Sequence, residues 1–205
     1  MNISITQTTH PGTLPPSDRL GFGTVFTDHM FLMDYNSDKG WHNARIVPYG
    51  PITMSPAASV LHYGTEVFEG LKAYRRPDGG VQLFRPWENV ARLNRSCERL
   101  GLPQLDPDDA LQAIKLAVKV DKAWVPDAPG TSLYIRPFLF GTDPTLALHG
   151  VHEATFAIIL SLRQLFLRRL EARAHHGRNG GRARGARRHR RSQMRRQLRC
   201  VHPCR

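Results

Sequence analysis

Between Ser161 and Leu162 the chain changes character, and that change limits how much of it can enter one core. Residues 1–161 carry 14 basic and 16 acidic side chains, a net −2, while residues 162–205 carry 15 Arg, no Lys and one acid, Glu171, a net +14. The overall +12 therefore describes the last 44 residues and not the body. The run RRLEARAHHGRNGGRARGARRHRRSQMRRQLRC has no usable apolar period and repels itself. It cannot bury enough surface to offset the entropy of ordering, so disorder is expected over 162–205. Lysine disappears earlier still: Lys122 is the last, and the remaining 83 positions hold none.

Upstream the pattern is that of a folded α+β domain over 21–161. Residues 1–20 are polar with Pro11, Pro15 and Pro16, and read as a mobile lead-in. Strand texture follows over 23–35 and 44–47. Strands over 67–74 and 81–84 flank Pro77-Asp78-Gly79-Gly80, a hairpin signal because Asp-Gly supplies the positive φ of a tight turn. Pro86 opens a helix whose Val90, Leu93, Cys97 and Leu100 share a face, and Gly101 closes it. A second helix starts with Asp106 as N-cap, with Asp108 and Asp109 in its first turn and Leu111, Ile114 and Val118 as its buried stripe. Strands are expected over 132–140 and 154–161, the latter nearly all apolar and so central. Three cysteines without an apolar leader give no disulfide framework. No apolar run reaches the ~18 residues that cross a bilayer. The cytoplasm is the expected compartment, with no membrane partner.

Four blocks carry a resemblance. Residues 61–74 read LHYGTEVFEGLKAY, 83–89 read LFRPWEN with Arg92 beyond, 23–30 read GTVFTDHM and 132–137 read SLYIRP. In this order and spacing they resemble the branched-chain aminotransferases, pyridoxal-phosphate enzymes of class IV. The resemblance covers roughly 20–161 and implies the N-terminal small domain of that fold. It implies transfer of an amino group between leucine, isoleucine or valine and 2-oxoglutarate or glutamate. It also implies a role for each matching residue. Arg92 would bind the cofactor phosphate, as a charged planar fork suits an anion. Tyr134 and Arg136, two apart on a strand and so on one side, would hold a substrate carboxylate, Arg136 taking the distal carboxylate of glutamate. Phe22, Tyr63 and Phe68 would line the pocket for a branched side chain. Leu146 and Leu148 would reach the partner subunit of a homodimer. Glu69 and Lys72 are not read as a catalytic pair.

The resemblance also implies a lysine that holds the cofactor aldehyde covalently and moves the Cα proton. It belongs downstream of Lys122, where this chain has none, so the chain as written is expected to be catalytically incompetent. Read one base later under a suitable synonymous codon choice, residues 165–177 encode Tyr-Phe-Ser-Ala-Gly-Leu-Lys-Pro-Val-Arg-Ile-Met. Residues 187–198 likewise encode Gly-Gly-Thr-Gly-Glu-Ala-Lys-Cys-Gly-Gly-Asn-Tyr. The first is the continuation the resemblance implies and the second its cofactor-lysine segment. The lysine codon straddles Gln193 and Met194, which in that frame encode only Lys or Arg. The tail therefore reads as an out-of-frame segment.

Two other classes compete. A nucleic-acid-binding protein with a basic Arg-rich arm would use the tail's charge on phosphates, although the tail offers only Phe166 for stacking. No selected nucleic-acid partner is expected. Cys200, His202 and Cys204, with His175, His176 and His189 upstream, lack a standard zinc spacing. Within class IV, a D-amino-acid aminotransferase or an aminodeoxychorismate lyase is the runner-up.

Overall fold

Two long strands organise the molecule. The computed structural model describes residues 1–164. β1 (Ser4–Ile5), β2 (Phe22–Phe26), β3 (His29–Asn36) and β4 (Gly40–Pro48) precede a short helix α1 (Ser59–Tyr63). β5 (Glu66–Phe68), β6 (Leu71–Arg75) and β7 (Val81–Leu83) follow, then α2 (Pro86–Leu100), α3 (Pro107–Val120), β8 (Thr131–Gly141) and β9 (Glu153–Gln164). β8 and β9 pair antiparallel without interruption from Thr131↔Gln164 to Gly141↔Ala154. Each is longer than its outer neighbours, so each serves two of them. β9 takes β3 along Glu153–Ile158 and β2 near Ser161 and Arg163, while β8 takes β6 near Leu133–Ile135 and β5 near Phe138–Phe140.

Alternation decides what each face of the sheet touches. Leu133, Ile135 and Leu139 of β8 and Phe156, Ile158, Leu160 and Leu162 of β9 point to one side. There they join Val90, Leu93 and Cys97 of α2 and Ala113, Ile114 and Ala117 of α3 in the main core. The opposite face keeps only a small cluster of Met30, Leu32, Phe140 and Ala157. Both helices match their sequence signals. Asp106 accepts from the Asp108 and Asp109 N–H groups, and Gly101 caps α2 at φ 64°. Leu100 departs from expectation and is exposed. The stripe of α3 is built mainly from Ala110, Ala113 and Ala117 beside Ile114 and Val118, with Leu111 only half-buried.

Two boundaries bear on the sequence expectation. The segment 1–20, expected as a mobile lead-in, makes defined contacts with the body. The Met1 ammonium lies 2.8 Å from Asp109, β1 pairs parallel with β4, and the Thr8 N–H donates to His29 Nε2 at 3.0 Å. Leu20 is fully buried. A polar segment is held here because its backbone donors find built acceptors, which composition does not display. The folded part also runs past Ser161. Leu162 is fully buried in β9, and burying a leucine contributes ~1.5–3 kcal/mol, enough to carry the strand onward. The disorder expected from 165 on lies outside the described residues, as do the His and Cys positions weighed for zinc. Among the described residues no cluster of three metal-ligating side chains occurs and no helix is long and apolar enough to cross a membrane.

Candidate functional site

The sheet face turned away from α2 and α3 gathers four of the eight expected residues. Tyr134 and Arg136 alternate with the core residues Leu133 and Ile135, so they point to the other side. Register then fixes their neighbours. Lys72 pairs with Tyr134, Phe68 with Phe138, and Phe22 with Arg163, which in turn pairs with Ser132. Four of the residues form one connected group. The Arg136 guanidinium lies 4.3 Å over the Phe68 ring, and its Nη2 donates to the Tyr134 hydroxyl at 2.9 Å. Phe22 meets the Tyr134 ring edge-on, with centroids 5.2 Å apart at 82°. Stacking on Phe68 fixes the plane of Arg136 and leaves edge donors for a planar anion. Arg136 makes no ion pair among the described residues.

The expected strand over 67–74 is two strands, broken at Glu69-Gly70. Gly70 is required because a Cβ there would collide with the Tyr134 hydroxyl. Glu69 turns inward, 5 % exposed, and receives Arg92 in a bidentate grip: Nε to Oε1 at 2.5 Å and Nη2 to Oε2 at 2.7 Å. Asn89 and the Gly70 N–H also donate to Oε2, at 3.0 and 3.2 Å. Burial acts to raise the Glu69 pKa, but the hydrogen bonds from Arg92, Asn89 and Gly70, with the charge of Arg92, outweigh it and hold the carboxyl below its usual range. The bond to Glu69 raises Arg92 in turn. Arg92 remains 60 % exposed, with Nη1 free of such a bond among the described residues. Glu69 thus serves Arg92 and not Lys72. Sequence reasoning set Glu69 and Lys72 aside together and missed the ion pair, although Glu69, Asn89 and Arg92 all stand in the blocks that carry the resemblance.

A second, smaller group stands apart from these contacts. Tyr63, at the end of α1, donates its hydroxyl to the Leu146 carbonyl at 2.5 Å. That bond ties α1 to the loop after β8. Leu146 is 60 % and Leu148 84 % exposed, and Leu148 joins neither group.

The arrangement brings together two arginines with open donors and aromatic walls, with Lys72 paired to Tyr134 on the same sheet face. The fold is that of the class IV aminotransferases, and the solved branched-chain aminotransferase of the thermophilic archaeon Thermoproteus uzoniensis, determined with norvaline, superposes with a TM-score of 0.51 at 24 % identity, covering 64 % of this chain and 40 % of that one. No protein-family model matches the chain. Sequence relatives carry the assignment further. The chain is 54 % identical over 147 residues to branched-chain-amino-acid transaminase 1 of Bacillus subtilis, covering 72 % of this chain and 41 % of the relative. It is 52 % identical over 161 residues to branched-chain-amino-acid aminotransferase 2 of the same organism, covering 78 % and 44 %. It is 43 % identical over 166 residues to the branched-chain-amino-acid aminotransferase of Mycolicibacterium smegmatis, covering 78 % and 45 %. Over that stretch the chain is a homologue of the branched-chain aminotransferases, and it spans less than half the length of these curated relatives.

Proposed function

We propose that residues 1–164 are the substrate-recognition part of a branched-chain aminotransferase and that the chain as written does not catalyse transamination. The observation that carries this reading is the convergence of Phe22, Phe68, Tyr134 and Arg136 on one open sheet face, in a chain half identical to such enzymes. Phe22, Phe68 and Tyr63 supply apolar wall for the side chain of leucine, isoleucine or valine. Arg136, steadied by Tyr134, supplies the donor pair for a carboxylate, the distal one when glutamate or 2-oxoglutarate is bound. Exposed Leu146 and Leu148 serve a second copy of the chain in a homodimer.

Pyridoxal phosphate is the cofactor of this reading, and the residues present fit it only in part. The exposed Nη1 of Arg92 suits a phosphate, since Glu69 holds the guanidinium still. Nothing suits the aldehyde. The chain's lysines are Lys39, Lys72, Lys115, Lys119 and Lys122. Lys115 and Lys119 lie on α3, and Lys72 is the cross-strand neighbour of Tyr134 on β6. None of the five matches the cofactor lysine that the resemblance implies, and no catalytic step is assigned to the covalent group. The segment after Ser161 is read as out of frame, with the missing lysine encoded one base later. The experiment is a single turnover with pyridoxal phosphate and valine. No 2-oxoisovalerate is expected, and its formation would overturn the assignment of incompetence.

A further inference from the structure

Residues 1–12 form a strap fastened to the body at both ends and at a histidine ring between them. The Met1 ammonium meets Asp109 at 2.8 Å, and the Gly12 N–H donates to Asp28 Oδ1 at 2.8 Å. Between them the Thr8 N–H donates to His29 Nε2 at 3.0 Å. The same stretch covers the outer edge of β4, where Ser4 and Ile5 pair with Arg45 and Ile46 and the Thr6 N–H donates to the Ile46 carbonyl at 2.9 Å. Of these acceptors only the imidazole of His29 changes from acceptor to donor when it takes up a proton. Histidine is also the side chain whose charge ordinarily changes between about pH 5 and 8.

The partners of the buried His29 ring settle its tautomer. Nδ1 lies 2.7 Å from Asp121 Oδ1, and Asp121 Oδ2 accepts the His29 backbone N–H at 3.0 Å. A carboxylate only accepts, so Nδ1 carries the ring proton; a backbone N–H only donates, so Nε2 meets Thr8 with its lone pair. A second proton can go only on Nε2, where it sets one N–H against another at hydrogen-bond distance. Asp121 balances the added charge from the core side of the ring, so the loss falls on Thr8. Asp121 is the charged group bonded to the ring among the described residues. The other titratable groups on the elements around it are Asp28 before β3, Tyr49 after β4, Lys122 after α3 and His10 in the strap. Asp28 is already engaged by Gly12 and by Trp124 Nε1, and β9 offers at this level only the backbone of the apolar Leu160.

We propose that His29 is a proton-operated latch for residues 1–12: the neutral ring holds the strap through Thr8, and the doubly protonated ring releases it and uncovers the edge of β4. The sign follows from the hydrogen bond. Docking needs the deprotonated Nε2, so it is complete at high pH and is lost as pH falls. One proton is linked to release, so the ratio of docked to released strap falls at most about tenfold for each unit of pH. The latch joins the strap, β3 and the end of α3, and it owes nothing to the residues around Arg136 or to the segment after Ser161.

The test uses the full chain, labelled with 15N and titrated by NMR from about pH 8 to about pH 5. The imidazole nitrogens of His29 report the tautomer and its protonation, and the amides of Thr6 and Gly12 report whether the strap is docked. Thr8→Pro, which has no N–H to donate, supplies the released reference. At the high end Nε2 should be unprotonated. As it gains its proton, the released fraction should rise about tenfold, within the range for a buried hydrogen bond left unmade. His29→Gln keeps an acceptor for Thr8 and cannot be charged, so its strap should stay docked across the titration. Thr8→Pro lies outside the core and should show a released strap at every pH, whether or not His29→Gln folds. Four results would each overturn the latch: an Nε2 that carries a proton at the high end, an Nε2 that gains none by the low end, a strap that stays docked once Nε2 is protonated, or an acid release that persists in His29→Gln or Thr8→Pro.

Discussion

At the scale of single residues the informative pair is Glu69 and Arg92. A carboxylate that is 5 % exposed would be expensive alone, and it is ionised because three donors and a positive charge converge on it. Its partner is open to water, so the pair is better regarded as a device that aims Arg92 than as a large source of stability. Glu69→Gln keeps the shape and removes the charge, and should cost about 1–2 kcal/mol, in the range for hydrogen bonds to a charged group with one end solvated. Urea denaturation at pH 7 measures it. The pH dependence has a definite sign. The folded-state pKa lies below the ordinary value of 4.5, so the contribution is complete above that value and disappears as pH falls through the lowered folded pKa. The gap between the unmutated chain and Glu69→Gln should therefore close on acidification below about pH 4.5. A gap that widened there would mean that Glu69 is protonated in the native state. Cys97 shows the opposite environment. Its thiol, buried against the sheet, is pushed up to about 11, and it should resist alkylation in the folded protein at pH 8 and react only on unfolding.

At the scale of elements, much was legible where a local signal had one reading. Pro86 and Gly101 bracket α2 as their backbone preferences require, and Asp106 caps α3. Gly101→Ala should cost about 1 kcal/mol, since φ 64° suits glycine and not an L side chain, and thermal unfolding would register it. What could not be read was decided by long-range partners. The break at Glu69-Gly70 is invisible in a run that alternates like one strand, because its causes, Arg92 and the Tyr134 hydroxyl, lie 23 and 64 residues away. Four of the expected site residues, Phe22, Phe68, Tyr134 and Arg136, assemble as one group. The contacts of the lead-in were hidden from the sequence for a related reason. Its anchors are a buried His29, bonded to Asp121 at 2.7 Å and so presenting Nε2 to the Thr8 N–H, and Asp28, which accepts from the Gly12 N–H at 2.8 Å. Deleting residues 1–10 should leave β4 as a bare edge and lower the urea midpoint. An unchanged midpoint would show that the strap adds no stability.

At the scale of the whole molecule the question is what a chain that spans less than half the length of its relatives can retain of their site. The relatives are more than twice as long as the stretch they share with this chain. Their match to this chain stops near the point where its charge changes sign. A buried Leu162 followed by 15 arginines is not a natural way to finish a domain. An in-frame arm would need selection to hold its composition, but a shifted frame needs only the underlying codons of the enzyme. The two accounts diverge at the nucleic acid. Resequencing across the codon for Ser161 should reveal a length change whose repair restores the reading Tyr-Phe-Ser-Ala-Gly and keeps it open past the codon for Arg205. Removing one base there and expressing the product should then yield 2-oxoisovalerate from valine, where the present chain yields none. If independent isolates instead carry the same uninterrupted tail in frame, the arginines belong to the protein, and residues 1–164 have been kept as a binding domain.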